Sequence, residues 1–412
     1  MYPCRVITLL THTAGFCALC FGKKPINGAK NTALLGFLFL AAAFFLKELF
    51  EKKDKRSNGK ETEHDAPYKR PVSGACFDCA VYLTDLSFIV ISRLNVSYAK
   101  RQLVWAFMGL ALYFLSPVFK KLILLSKNLY TLMWLLGAAL LACPFFLGAA
   151  RGGATNWVDF RVFGQSMTFQ PSEIVKILFV FFLAGAYKGV ADKKTFFGAA
   201  AACAAYALIL VYQKDLGTAV IFFAVFFTLS FIAGSGFLFA LSGGFCAAGA
   251  AWAAYALFAH VRTRFVAWLD PFSDITGAGY QTAQATFAMG TYGLFGAGLN
   301  MGSPLYIPAV INDFIFAAVT EELGVIFALC LILIFAFFLT RVFFEAGKVK
   351  DRYAALVAAG LAASLFCQTF LIIGGVTRLI PLTGVTLPFV SYGGTSIVIS
   401  FIMLSVISAL TD

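Results

Sequence analysis

RTRFVAWLDPFSDITGAGYQTAQATFAMGTYGLFGAGLNMGSPLYIPAVINDFIFAAVTEELG, residues 262–324, is the longest interval after residue 100 that cannot be divided into membrane-crossing segments. It is rich in glycine, carries Asp270, Asp274 and Asp313, and contains no lysine. An irregular connection of about 50 residues between apolar runs far exceeds ordinary loop lengths, and such loops are usually functional or disordered. The aromatic content of this one argues for order. Asp313 is expected in the first turn of the apolar helix that follows, where a carboxylate meets the edge of the bilayer.

Outward from this loop the chain is apolar. Mean hydropathy is +0.85, 47 residues are phenylalanine and 13% are charged, and runs of about 20 apolar residues recur along the length. A soluble protein is excluded; the pattern is that of an all-α integral membrane protein. Ten spans are expected after residue 74, near 75–93, 101–119, 128–149, 172–190, 196–212, 215–234, 237–258, 313–340, 353–372 and 386–410. Ahead of them lie two apolar runs, 4–22 and 32–50, and a mixed-charge stretch from residue 51 to 70 that reads as a solvated linker. No small-residue cleavage site precedes the second run, so the runs read as anchors and not as a cleaved leader. Residues 1–74 are thus an N-terminal addition with one or two extra membrane helices, and residues 75–412 are the core. The charged linker at its end need not pack on the core, and removal of residues 1–74 is expected to leave a core that inserts and retains some activity.

Charge sets the orientation. With the linker in the cytoplasm, loops 120–127, 188–195 and 341–352 carry ten Lys or Arg in 28 positions. The opposite loops, 94–101, 150–171, 213–215, 259–312 and 373–385, carry eight in 100. The excess places the long loop outside, although Lys23, Lys24 and Lys30 share that side if both early runs span. An outward site has no access to cytosolic ATP, so synthesis there needs a substrate that arrives activated, such as a lipid-linked diphosphate. There is no P-loop and no His-rich metal signature, the only histidines being His12, His64 and His260.

Other compositional signals are weaker. The net charge of +12 is scattered at helix ends, which suits anionic membrane lipid and not nucleic acid. Most of the ten cysteines sit in apolar segments. The pairs Cys17/Cys20 and Cys76/Cys79 resemble half zinc sites, but the first lacks polar surroundings, and no metal ligands are assigned. The residues specify no cofactor and leave room for a divalent cation, Mg or Mn.

Four polar stretches stand out. In FQPSEIVK, Pro171 opens a helix on which Glu173 and Lys176 share a face at i, i+3. They read either as a structural ion pair or as a polar wall of a substrate cavity. YQKDLGTA, residues 212–219, reads as a solvated hairpin turned by Lys214 and Asp215. PLTGVTLPFVSYGGTS, residues 381–396, is either a broken helix packed in protein or backbone lining a polar cavity. Asn312 or Asp313 can cap the helix after the long loop. Alternatively, Asp313 is a general base that takes the proton of a sugar hydroxyl attacking an anomeric carbon, while Arg262, Arg264 or Arg378 offsets charge on a departing diphosphate.

Taken in order, FQPSE with Lys176, QKDLGTA, DPFSD with GAGYQ, DFIFA with EELG, and LTGVTLPFVSYGGTS resemble the signatures of the SEDS family, the RodA/FtsW/SpoVE proteins of bacterial cell-wall synthesis, over about residues 75–410. The resemblance implies a ten-helix core, a large extracytoplasmic loop before core helix 8, and polymerisation of lipid II with undecaprenyl diphosphate as leaving group. It places the catalytic aspartate at Asp313 and substrate contacts at Glu173, Lys176, Arg264, Trp157, Ser391 and Tyr392, while Arg378, outside the family pattern, is read as a further substrate contact that supplies replacement charge. It also implies the bacterial cytoplasmic membrane and a class B penicillin-binding transpeptidase as partner. The chain departs from the family pattern at Asn156, Ala309, Ile311 and Ile372, where arginine, glutamate, histidine and asparagine are common, and at Arg378, where glycine is usual. Two other functions fit the same spans: a lipid II transporter, which needs no catalytic base, and a non-catalytic scaffold of the wall machinery.

Overall fold

The computed structural model describes residues 2–22, 25–58, 73–151, 154–162, 165–189 and 192–411. Most of the expected linker, residues 59–72, lies outside the described residues, as do Lys23 and Lys24. Helices α1 (Tyr2–Phe21) and α2 (Ala29–Asn58) precede α3 (Ser73–Leu94), α4 (Val96–Tyr113), α5 (Ser116–Ser126) and α6 (Tyr130–Leu147). Strands β1 (Gly148–Arg151), β2 (Ala154–Val162) and β3 (Gln165–Phe169) form an antiparallel sheet in that order before α7 (Pro171–Ala186). Then come α8 (Lys193–Tyr212), α9 (Leu216–Ile232), α10 (Phe237–Leu257), α11 (Ala259–Leu269) and α12 (Tyr280–Thr291). The chain closes with α13 (Ile315–Ala346), α14 (Arg352–Val376) and α15 (Gly394–Thr411).

Among the described residues, α1, α2, α3, α6, α8, α13, α14 and α15 are each long and apolar enough to cross a membrane. The pairs α4/α5 and α10/α11 qualify only jointly, bent by 64° and 103°. With the shorter α7 and α9 these make ten core spans behind two N-terminal helices. Side-chain oxygens of Asn95, Asp192, Asp215 and Asp351 accept from the first free N–H groups of α4, α8, α9 and α14 and mark where those helices begin.

Four boundaries differ from the sequence expectation. The span expected at 101–119 is broken after Tyr113, and α5 restarts with Pro117 in its first turn, a position where proline costs no hydrogen bond. The loop at 150–171, expected outside, holds strands, which pair the backbone groups of residues too polar to enter lipid. The long loop is not irregular throughout, since it contains α11 and α12. The last helix starts at Gly394 and not near 386, because Pro388 lacks a donor and Gly384 and Phe389 take φ of 76° and 64°.

The long loop is keyed into α13. That helix breaks at Gly324, whose φ of 86° and ψ of 169° leave the carbonyls of Glu321 and Glu322 without helical donors. Ala297 N–H and Gly298 N–H donate to those carbonyls at 2.9 and 2.8 Å, while Val325 and Ile326 donate back to Gly293 and Leu294. A Cβ on Gly324 would lie 2.3 Å from the Leu294 carbonyl, so only glycine admits this close approach. Arg93 on α3 completes the joint, donating to Glu322 Oε1 at 2.8 Å and to the Gly302 carbonyl at 3.1 Å.

The N-terminal helices are packed on the core, α1 against α3 and α2 against α3 and α4. Asp78 and Asp85, two turns apart on α3, are both buried. Lys47 of α2 meets Asp78 at 2.7 Å and also donates to the Gly74 carbonyl, while His12 of α1 pairs with Asp85. Removing one partner of a buried ion pair typically costs about 3–5 kcal/mol. Deletion of residues 1–58 is therefore expected to lower the amount of inserted, monodisperse protein, and Asp78→Asn with Asp85→Asn to restore part of it. A deleted chain that inserts and elutes like the intact one would show that the two pairs are dispensable.

Candidate active site

Residues 381–393, the non-helical segment before α15, run along the side of the site and touch each of its parts. Thr383 offers its carbonyl to Arg264 Nη1 at 3.0 Å. Gly384 follows, and a Cβ there would lie 3.9 Å from both Arg264 Nη2 and Asp313 Oδ2. The guanidinium and the carboxylate thus face one another across a glycine. Thr386 accepts from Gln368 Nε2 through its carbonyl at 2.9 Å, and Ser391 and Tyr392 hold the residues just before Asp313.

Asp313 does not cap α13. The helix begins at Ile315 with Phe314 at its N-cap and no side-chain capping bond, and the Asn312 amide donates instead to the Tyr392 carbonyl at 2.8 Å. Asp313 is fixed through its backbone: its N–H donates to the Ala309 carbonyl, Tyr392 N–H donates to Ile311, and the Ser391 hydroxyl donates to the Asn312 carbonyl. No donor among the described residues hydrogen-bonds its side chain. Burial raises the Asp313 pKa from 3.8 to about 6, with Arg264 pulling the other way. A carboxylate without a partner, half-titrated near pH 6, is suited to accept a proton.

The frame around Asp313 reaches into α4. Gln102, fully buried, donates to the Ser391 carbonyl at 3.0 Å and accepts from Gly393 N–H at 3.4 Å. Ser391 and Tyr392, read from sequence as substrate contacts, hold this frame through the Ser391 hydroxyl and the Tyr392 backbone, and the Tyr392 ring also stacks edge-on against Tyr98.

Glu173 and Lys176 meet at 2.8 Å, as their i, i+3 spacing on α7 requires. Lys176 is 2% exposed and also donates to Gln368 Oε1 at 2.6 Å. Gln368 joins this pair to Thr386 and Ser396. It was not singled out from sequence, although an amide inside the apolar run 353–372 is itself a signal.

Asp215 is the largest surprise, because its turn read as a plain solvated hairpin. The carboxylate is buried and accepts from Asn156 Nδ2 at 2.9 Å, Gln170 Nε2 at 3.1 Å, Ser172 Oγ at 3.4 Å and Thr218 N–H at 3.2 Å. It ties β2 to the starts of α7 and α9. Trp157 follows Asn156 on β2, opposite Ala149 of β1, and strand alternation turns it to the other face.

Of the three arginines considered for the diphosphate, Arg264 is the one beside Asp313. Arg262 turns back to the Ala256 carbonyl at 3.1 Å. Arg378, at φ of 62°, donates to the carbonyls of Trp268 and Leu269, both at 3.2 Å, and Trp268 Nε1 donates to the Arg378 carbonyl at 2.9 Å. It fastens the end of α14 to α11. Among the described residues, no three His, Cys, Asp or Glu side chains converge as a metal site.

The family model described as cell cycle protein, FtsW/RodA/SpoVE, matches residues 79–412. The peptidoglycan glycosyltransferase RodA of Mycobacterium tuberculosis is 33% identical over 377 residues, spanning 84% of this chain and 78% of that one. Stage V sporulation protein E of Bacillus subtilis is 33% identical over 330 residues, spanning 75% and 86%. Among solved structures, a chain described under structural coordination of polymerization and crosslinking by a peptidoglycan synthase complex superposes with a TM-score of 0.68 at 27% identity. That match covers 82% of this chain and 96% of the other. The rod shape determining protein RodA of Thermus thermophilus, at 24% identity and a TM-score of 0.58, shares the fold over 82% of this chain and 95% of its own.

Proposed function

Because the chain belongs to the FtsW/RodA/SpoVE family, we propose that it polymerises lipid II into glycan strands at Asp313, on the outer face of the cytoplasmic membrane. It is a peptidoglycan glycosyltransferase, the activity for which its RodA relatives are named. The observation that carries the catalytic reading is the Asp313 carboxylate, held by its backbone, free of side-chain hydrogen bonds among the described residues, and facing Arg264.

In the proposed reaction the acceptor sugar hydroxyl loses its proton to Asp313 as its oxygen bonds to the donor's anomeric carbon. The bond from that carbon to the diphosphate oxygen breaks, and the electron pair leaves with the lipid diphosphate. Arg264 offsets the charge that develops there, which is worth most in a site sheltered from water. The pair Glu173/Lys176 and its partner Gln368 brace the wall behind Thr386 and so hold Gly384 open between base and arginine. If a divalent cation, Mg or Mn, takes part, Asp313 is the carboxylate that would hold it, and the ion would supply positive charge to offset the departing diphosphate. A class B penicillin-binding transpeptidase is the proposed partner, since the structural neighbour's description joins polymerization to crosslinking.

Purified protein in detergent, where no transport across a bilayer exists, tests the activity. Glycan polymer is expected from lipid II, alone or with the transpeptidase. Lipid II left wholly unpolymerised under both conditions would remove the assignment and return the transporter and scaffold readings.

A further inference from the structure

Helix α11 leaves α10 through a 103° bend, and its hold on the rest of the molecule is narrow. Among the described residues, every side-chain hydrogen bond that ties it to a distant element goes to one short stretch, residues 378–383. Arg264 and Trp268 stand at i, i+4 on one face of α11. Arg264 Nη1 donates to the Thr383 carbonyl at 3.0 Å, and Trp268 Nε1 donates to the Arg378 carbonyl at 2.9 Å. Arg378 closes the second joint from its own side, its Nη2 donating to the carbonyls of Trp268 and Leu269, both at 3.2 Å. Those carbonyls lie in the last turn of α11, where a helix runs out of its own donors and its dipole favours a cation. The same guanidinium sits 5.8 Å from the centre of the Phe272 ring, just past the helix.

The backbone at Arg378 is strained. Its φ of 62° lies in the left-handed region, which glycine enters freely and other residues rarely. Strain of this kind persists only where surrounding contacts over-determine it, and it gathers at sites whose geometry matters. The geometry at stake lies at the other joint. Gly384 follows Thr383, and a Cβ there would lie 3.9 Å from both Arg264 Nη2 and Asp313 Oδ2. The Thr383 carbonyl is the one hydrogen-bond partner of Arg264 among the described residues. A single bond leaves a long side chain, and the helix that carries it, free to swing. The joint between Trp268 and Arg378, one turn further along, removes that freedom.

We propose that Arg378 is a positioning residue for glycosyl transfer: with Trp268 it clamps the end of α11 to the segment after α14, and so holds Arg264 opposite Asp313. This rests on the glycosyltransferase reading and adds to it a residue that acts through another and touches no substrate. Two effects follow. Arg264 offsets charge that develops on the leaving diphosphate, so a slack α11 lowers kcat more than it raises KM. Arg264 also favours the ionised form of Asp313 against burial. Glu321 and Glu322 on α13 are taken by Ser303 and Arg93, Glu173 and Lys176 on α7 by each other, and the Tyr392 ring by Tyr98. Arg264 is the charge that acts on Asp313, and as it recedes Asp313 keeps its proton to higher pH.

Lipid II polymerisation by the purified full chain, followed across pH, tests the clamp. Arg378→Gly suits the left-handed backbone and removes the guanidinium, while Trp268→Phe keeps a ring and removes the Nε1 donor. Arg378→Gly is expected to lower kcat about tenfold with KM within about twofold of the parent, and to move the acid limb of kcat/KM above about 6. Trp268→Phe is expected to shift both in the same direction, and it reads the clamp on its own where Arg378→Gly accumulates poorly. The double variant should be within about twofold of Arg378→Gly, because the two residues share one joint. Arg262→Gln removes a charge from the same helix away from the joint and should leave the limb in place. A rise in KM alone in Arg378→Gly, as a direct substrate contact predicts, an acid limb that does not move, or losses that multiply in the double variant would each overturn the clamp. Infrared titration of the Asp313 carboxyl band, identified by its disappearance in Asp313→Asn, reads the same geometry without turnover. A chain that makes no polymer but whose band titrates at higher pH in Arg378→Gly keeps the clamp and loses the glycosyltransferase reading. A polymerising chain whose band titrates unchanged in both variants loses the clamp and keeps that reading.

Discussion

Asp313→Asn is expected to lower glycan strand synthesis by about 100-fold or more, the scale of lost acid–base help, at unchanged membrane abundance. The amide has nearly the carboxylate's shape but is far too weak a base to take a hydroxyl proton. A capping role predicts something else, a stability loss of about 0.5–2 kcal/mol even for alanine, and Phe314 already stands at the N-cap. The pH dependence sharpens the contrast. The Asp313 pKa is raised from 3.8 to about 6 by burial, so the folded protein holds its proton over a range where the unfolded chain has lost it. Stability therefore falls as pH rises from about 4 through 6, while base catalysis grows over the same window as the carboxylate ionises. The parent's kcat/KM should rise with pH through about 6, and Asp313→Asn should lose that limb while melting no earlier than the parent. A variant polymerising within about threefold of the parent at matched abundance would end the general-base assignment.

Lys176→Ala is expected to cost about 3–5 kcal/mol, because it leaves the Glu173 carboxylate buried without its cation. Lys176 holds both Glu173, at 2.8 Å, and Gln368, at 2.6 Å, so the loss reaches Thr386 and the segment beside Asp313. The protein should melt earlier and accumulate less in the membrane. In Glu173→Gln with Lys176→Met no charge is stranded, so abundance should recover, while polymerisation should stay low because Gln368 has lost its anchor. Thermal melting and polymer yield on the three proteins separate the two effects. A single variant with the parent's melting temperature would show that the pair carries little of the stability.

Much of the molecule is written in local pattern. The ten core spans follow from apolar runs long enough to cross a bilayer, a constraint that acts on each segment by itself. Pro171 before Glu173 and Lys176 places a helix start and an i, i+3 pair without reference to any other element. The Asp313 loop announced itself by length and composition.

Contacts between distant segments were not legible. Asp215 looked solvated because its own neighbours are polar, yet its partners come from residues 156, 170 and 172. The break at Gly324 depends on a loop about 30 residues earlier, and the N-terminal helices read as detachable until α3 put Asp78 and Asp85 against Lys47 and His12. Hydrophobic period and turn chemistry report how a segment meets lipid, water and its own backbone. Which groups surround a buried charge depends on which segments the folded bundle brings together, and that set Arg264 near Asp313, Gln368 on Lys176, and Asn156, Gln170 and Ser172 on Asp215.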